Sequence, residues 1–274
     1  MLRARVISAF VLGIPALLAV IAGGWWYALV VAVVLGVAAV EFTRLIARQG
    51  HRAYGGLLLL WVALSLANRV FPDAGLLEPG MAALLLCAIV WTLVRYAQGT
   101  VNAITGFAFT VMGGLLLGWG GAHFLGLRGL DGGVFWMLIV ILSVWCTDTA
   151  SYFVGSTIGR TRMLPAISPG KTWEGFAAGI VGGPLGAFIF MTLWRAVDAG
   201  FTVRVEHCLA IGLIASTIGP LGDLIISTLK RYVGVKDASH LIPGHGGMLD
   251  RVDTLITAGL ASYYFLTLVV LSGG

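Results

Sequence analysis

Four aspartates and three bases crowd one short stretch of an otherwise apolar chain. Asp223, Asp237, Asp250 and Asp253 alternate there with Lys230, Arg231 and Lys236, around a Gly-rich turn that holds His245. Carboxylates can hold a divalent cation, and lysine or arginine can hold phosphate, so the mixture points to phosphoryl or nucleotidyl chemistry. Asp223, Ser227, Lys230 and Arg231 fall at i, i+4, i+7 and i+8, which is one face of a helix. That face runs from a potential metal ligand, through a hydroxyl, to two cations. Asp250, Asp253 and Thr257 repeat the pattern beyond the loop, although acids in a first helical turn also simply complement the helix dipole. Arg251 between them would serve equally as a positive anchor at a membrane surface. In the turn, Gly244, Gly246 and Gly247 let backbone N–H groups approach an anion closely. His245 can orient a phosphate or shuttle a proton, or be an ordinary hydrogen-bonded loop histidine.

The elements that position these groups are set by composition. The chain has 274 residues, 59% hydrophobic and 11% charged, with mean hydropathy +0.97, which excludes a soluble globule. Apolar stretches near the length of a bilayer crossing recur throughout. The reading is an all-α polytopic membrane protein of about nine spans, at 5–23, 25–43, 55–71, 80–95, 103–126, 133–157, 173–194, 207–229 and 252–271. With the N-terminus in the cytoplasm, thirteen of the 17 Lys and Arg residues lie inside, and only Arg69, Arg128, Arg195 and Arg204 outside, as the positive-inside rule requires. The expected topology is therefore N-in and C-out, with the polar loops 158–172 and 230–251 in the cytoplasm. Arg3 and Arg5 before the first apolar run read as the start of an uncleaved span. Cys87, Cys146 and Cys208 lie far apart without metal-ligand spacing and read as small buried hydrophobes. Residues 1–130 are nearly featureless apolar helix, expected to serve packing, lipid contact and oligomer contacts. Residues 131–274 carry nearly all the chemistry and are expected to form the catalytic region.

Two acids fall inside spans, Asp148 in the sixth and Asp223 in the eighth. A carboxylate at hydrocarbon depth costs roughly 2.5–3.5 kcal/mol on insertion scales. Such an acid either ties helices together or faces a water-filled cavity, and two of them in the cytoplasmic halves of their spans favour the cavity. Gly219, Pro220 and Gly222 predict a kink just before Asp223. The other cytoplasmic loop carries Gly170-Lys171-Thr172, superficially a phosphate-binding loop, but the first glycine of that motif would fall at Pro165. Because no strand is expected before it, a Walker nucleotide fold is rejected. Lys171 remains a phosphate-binding candidate, and Ser168 a candidate cap for the next helix. Glu41 and Glu174 lie near span ends and read as interfacial.

The run Ser227-x-Leu229-Lys230-Arg231-x4-Lys236-Asp237-x-Ser239-x2-Ile242-Pro243-x-His245-Gly246-Gly247-Met248-x-Asp250-Arg251-x-Asp253 resembles, without gaps, the signature of phosphatidate cytidylyltransferases, also called CDP-diacylglycerol synthases. Asp148-Thr-Ala-Ser-Tyr-Phe-Val-Gly, followed by Ser168-Pro-Gly-Lys171-Thr-Trp-Glu-Gly175, is similar to the same family; residues 156–166 depart from it. The resemblance implies that CTP and phosphatidic acid give CDP-diacylglycerol and pyrophosphate with Mg²⁺, with room for a second cation. On that reading Asp223, Asp250 and Asp148 hold metal, and Lys230 and Lys236 are catalytic together with them. Ser227, Arg231, Lys171, Ser168, Asp237, His245, Gly246, Gly247, Arg251 and Asp253 line the substrates. It also implies a multi-pass protein of the inner membrane with its active site facing the cytoplasm. The expected partners are membrane lipids and a second copy in a homodimer, with no nucleic acid. Two other functions fit the acids and bases: a CTP-dependent kinase of the polyprenol or phytol type, and a cation-coupled transporter using Asp148 and Asp223. No inverted repeat supports the transporter.

Overall fold

The structure, a computed structural model, describes residues 2–198, 200, 202–239, 241–242 and 246–271, with the side chains of 2–10 and 12 left aside. His240, Pro243, Gly244 and His245 lie outside the described residues.

Each expected span has a helical counterpart. In chain order these are α1 Leu2–Ala22, α2 Gly24–Ala47, α3 Gly55–Val70, α4 Leu77–Ala97, α5 Ala103–Gly113 and α6 Gly121–Gly129. They are followed by α7 Gly133–Thr157, α8 Trp173–Val197, α9 Val205–Thr217, α10 Gly219–Tyr232 and α11 Leu249–Phe265. A π-helical turn, Gly114–Gly120, joins α5 to α6, and another, Leu266–Val270, extends α11. Seven continuous rods among the described residues are long and apolar enough to cross a bilayer, namely α2, α4, α5–α6, α7, α8, α9–α10 and extended α11. Among the described residues, the apolar stretches Gly13–Ala22 of α1 and Gly55–Val70 of α3 are shorter. The chain is thus a polytopic membrane protein, built from helices whose interior backbone polar groups pair within the segment as the bilayer requires.

By internal contacts the chain divides into two compact units. One comprises residues 1–125 with 232–252, the other 126–231 with 253–274. The first has a core of Leu35, Ala38, Phe42, Leu45 and Ile46 from α2 against Leu58, Trp61 and Val62 from α3, all buried. The π-turn lies against Trp61, whose ring occupies the space that side chains at Gly114 and Gly118 would fill.

In the second unit α7, α8 and α9 pack together. Gly175, Gly179, Gly183 and Gly186 form a stripe along α8 at four- and three-residue spacing, all buried, the small-residue device that lets membrane helices approach closely. A Cβ at Gly179 would collide with Ser151 Oγ on α7. At the expected kink the rod is interrupted at one residue, Ile218: α9 ends at Thr217 and α10 starts at Gly219. Pro220 has no N–H to continue the ladder, and Thr257 Oγ1 of α11 donates to the Gly219 carbonyl at 2.8 Å.

Helices alone do not describe the chain. Between α7 and α8 an antiparallel hairpin pairs β1 Arg162–Leu164 with β2 Ser168–Thr172. A strand therefore does precede α8, against the expectation from sequence. The Walker fold stays excluded on geometry, because Gly170, Lys171 and Thr172 belong to the extended strand itself and not to a loop after it. Ser168 does not cap α8 either. It opens β2, and Thr172 is the N-cap, its Oγ1 accepting from Gly175 N at 3.1 Å.

Candidate active site

In the second unit, strand geometry carries Lys171 to Asp223. Side chains alternate faces along β2, and the Lys171 ammonium meets Asp223 Oδ2 at 2.6 Å, each side chain about 30% exposed. The other carboxylate oxygen accepts from Ser227 Oγ at 3.2 Å, the i, i+4 contact that the spacing predicts. The hairpin that delivers Lys171 is fastened twice. Arg231, one turn beyond Ser227, donates from Nε to the Ile167 carbonyl at 3.0 Å. Glu174 accepts the Thr161 N–H on both carboxylate oxygens, at 3.1 and 3.2 Å. Glu174 is thus a clasp for the base of the hairpin, a role its position near a span end did not reveal.

Lys171 also lines a cavity of about 530 Å³, within the range of small-molecule sites. Thr147, Asp148 and Ser151 of α7, Arg162 of β1 and Pro220 of α10 contribute to its wall, with Tyr152, Phe176 and Leu224 as apolar surface. Asp148 and Lys171 therefore face one space. Two polar residues there, Ser151 and Arg162, were not singled out from the sequence. Ser151 sits three residues after Asp148, a spacing that shares a helix face and was legible in principle. Arg162 comes to the wall only through the hairpin.

Lys230 is buried, while Arg251 is exposed. Asp253 is buried, its Oδ1 accepting from Thr254 N at 2.6 Å and Thr254 Oγ1 at 3.3 Å. Its main-chain carbonyl packs on Gly222 of α10, where any Cβ would collide with it. Asp253 and Thr257 together therefore seat α11 on the broken start of α10.

In the first unit, the loop ahead of α11 is organised by two carboxylates. Asp250 Oδ2 accepts from Ala238 N and Gly247 N, both at 3.0 Å. The anion that Gly247 approaches with its N–H is thus a side chain of this protein. Gly246 has φ +79°, a left-handed conformation suited to glycine, and its carbonyl accepts from Ile242 N at 2.9 Å. The second carboxylate is Glu41 of α2, which is buried and not interfacial. It accepts from Ser239 Oγ at 2.6 Å and Leu249 N at 2.8 Å. A Cβ at Gly247 would lie 2.6 Å from Glu41 Oε2. Asp237 is half-buried and Lys236 exposed in the same loop.

Asp148, Asp223 and Asp250 are hard oxygen donors suited to Mg²⁺. Asp223 already carries a cation, the Lys171 ammonium, so its carboxylate fits positive charge. Among the described residues no three His, Cys, Asp or Glu side chains converge as a ready cage. Mg²⁺ is commonly held by one or two carboxylates with water and substrate phosphates completing its shell, and Asp148 and Asp223 within the second unit fit that pattern.

The sequence profile of the Cytidylyltransferase family matches residues 3–269. A phosphatidate cytidylyltransferase of Bacillus subtilis (strain 168) is 34% identical over 214 residues, covering 78% of this chain and 77% of that protein. A phosphatidate cytidylyltransferase of Haemophilus influenzae is 39% identical over 138 residues, covering 50% of this chain and 48% of its own. One of Staphylococcus aureus (strain COL) is 40% identical over 124 residues, covering 45% and 46%.

Proposed function

The chain belongs to the Cytidylyltransferase family, and from that premise we infer that it transfers the cytidylyl group of CTP to phosphatidic acid, giving CDP-diacylglycerol and pyrophosphate. The observation that carries this reading to the site is the Lys171–Asp223 pair, 2.6 Å apart, with Lys171 and Asp148 facing one cavity.

In this reading an oxygen of the lipid phosphate attacks the α-phosphorus of CTP in line. A new P–O bond forms as the bond from that phosphorus to the β-bridging oxygen breaks, and pyrophosphate leaves with the electron pair. The nucleophile is already an anion at neutral pH, so no strong general base is needed. Positioning and electrostatic stabilisation then supply most of the rate. Lys171 and Arg162 bind phosphate oxygens in the cavity, and the apolar surface of Tyr152, Phe176 and Leu224 accommodates the lipid. Arg231 acts first through the hairpin it holds, and Lys230 and Lys236 add positive charge for the triphosphate. Asp223, Asp148 and Asp250 would hold Mg²⁺, with room in the reading for a second cation. Bound metal would neutralise phosphate charge as it develops.

The finer topology belongs to the same proposal: nine spans, N-in and C-out, in the inner membrane, with loops 158–172 and 230–251 meeting CTP on the cytoplasmic side. The distribution of Lys and Arg supports it. A homodimer completes the reading.

The test is labelled CTP with phosphatidic acid in mixed micelles, with and without Mg²⁺. Cytidine label in the lipid phase and metal-dependent pyrophosphate release are expected. Transfer of the γ-phosphate instead would make the protein a CTP-dependent lipid kinase. Transfer of neither, with cation uptake into liposomes, would return the acids to transport. Asp223→Asn and Asp250→Asn examine the metal assignment; near-normal turnover and Mg²⁺ dependence in either would overturn it for that residue.

A further inference from the structure

Two adjoining cavities in the first unit take no part in the reaction proposed above. The smaller, about 180 Å³, has a mixed lining in which Thr100 and Asn102 stand beside Val101 and Ala103. The larger, about 820 Å³, is an open apolar groove between α3 and α4 that includes Leu57, Leu60, Cys87 and Trp91. Arg52, Tyr54 and Arg95 line both, so two arginines stand where the smaller cavity meets the apolar groove. Neither lining contains an acid, and among the described residues neither arginine has an ion-pair partner.

Arg95 lies in the last turn of α4, where the helix dipole favours a cation. Arg52 lies in the connection after α2 and gains nothing of that kind. Two like charges on one rim repel each other, and an anion between them relieves the repulsion. The rim itself is firmly held by Tyr54. Its N–H donates to Thr110 Oγ1 at 2.7 Å, and its hydroxyl lies 3.0 Å from Thr92 Oγ1 and 3.1 Å from the Ala103 carbonyl. The Trp91 ring stands edge-on to Tyr54 with centroids 6.4 Å apart, and half of Trp91 is exposed. Aromatic rings of this kind sit at headgroup level in membrane proteins.

We propose that this junction binds one anionic glycerophospholipid, with its phosphate between Arg52 and Arg95 and an acyl chain along the α3–α4 groove. The groove is charged at one end and apolar along the rest, which is the polarity profile of a lipid. A second copy of the chain in the same bilayer would bring its own Arg52 and Arg95 to the same depth and add like charge. Guanidinium presents a planar fork that matches phosphate oxygens. The inference does not depend on cytidylyl transfer.

The test uses the full-length protein in nanodiscs of phosphatidylcholine containing acyl-brominated phosphatidylglycerol, a lipid that is not a substrate in the reaction proposed. Bromine quenches nearby tryptophan, and the difference between the wild type and Trp91→Phe isolates Trp91. Two basic residues near a membrane surface, each contributing a factor of about five, give an expected preference of roughly 25-fold over brominated phosphatidylcholine. Arg52→Gln/Arg95→Gln should abolish that preference while CTP turnover, read in parallel, shows the variant is folded. Lys171→Gln, in the other unit, should leave the preference intact. Equal quenching by both lipids, or a preference that survives in the double variant, overturns the proposal. So does complete displacement by millimolar glycerol 3-phosphate, which would mark a site for free phosphate. Protection of Trp91 from quenching that tracks dimer content would assign the groove to a second copy and overturn it as well.

Discussion

Removal of the Glu41 carboxylate should release the loop ahead of α11 while the helices stay folded. Glu41 is 4% exposed and accepts two hydrogen bonds, from Ser239 Oγ at 2.6 Å and Leu249 N at 2.8 Å. Hydrogen bonds to a charged group contribute about 1.5–3 kcal/mol each, so their joint loss is worth about 3–6 kcal/mol before water enters the space left behind. Allowing for that water, Glu41→Ala should cost the loop about 3 kcal/mol, a factor of roughly 150 in its opening equilibrium. Glu41→Gln keeps the shape: its carbonyl can accept from Leu249 N while its amide donates to the Ser239 hydroxyl. Exchanging charged for neutral bonds there should cost about 1 kcal/mol, or roughly fivefold. Hydrogen–deuterium exchange of the peptide spanning 233–250 reads both values, with a peptide from α7 as the internal standard. Wild-type, Gln and Ala forms should rank in that order of increasing exchange, with the α7 peptide unchanged. Exchange of the Ala form within about twofold of wild type would refute the clamp, since the two bonds would then carry none of the free energy assigned to them.

Asp250→Asn keeps an oxygen for Ala238 N and Gly247 N, so loop protection from exchange should persist while turnover falls by about a hundredfold or more, as loss of a transition-state charge contact implies. Asp250→Ala should lose both protection and turnover, and an Asn form that unprotects the loop would contradict the division of roles. Removing the ammonium 2.6 Å from Asp223 in Lys171→Gln should strengthen Mn²⁺ binding without nucleotide, read by electron paramagnetic resonance, while turnover drops. Unchanged Mn²⁺ affinity would separate the ion pair from the metal carboxylate. Thr172→Ala removes the cap on Gly175 N and should lower stability by about 1 kcal/mol, with Thr172→Ser close to wild type; thermal unfolding in detergent checks the pair, and equal melting temperatures would exclude the cap as a stabilising contact.

How much of this was legible without coordinates follows the range of the interaction involved. Each expected span has a helical counterpart because hydropathy is additive along a segment and the bilayer requires the segment to satisfy its own backbone. The Asp223–Ser227 contact was readable because helical periodicity alone sets it, and the break before α10 because Pro220 carries its constraint with it. The hairpin was not readable. Its strands have three and five residues, too short for an alternating pattern to rise above that of a polar loop. Missing the hairpin misassigned the cap of α8 to Ser168, four residues before the true cap, and hid the route by which Arg162 reaches the cavity wall.

Charge type was fixed by sequence, while the partner of each charge was not. Asp223, Lys171, Asp250 and Arg231 were all candidates for metal or phosphate by residue type. Tertiary structure decided that Asp223 meets Lys171 across 52 positions of chain, that Arg231 holds the Ile167 carbonyl, and that Asp250 gathers two N–H groups of its own loop. Glu41 marks the limit most plainly. Nothing in its neighbours announces that a carboxylate near the end of α2 will be buried against Ser239 and Leu249, some two hundred residues away. Local sequence sets which segments enter the membrane and which charges the chain carries, because those energies are summed along the chain. Only the folded chain sets which charges meet, because pairing energy depends on distances of a few ångströms between residues that sequence leaves far apart.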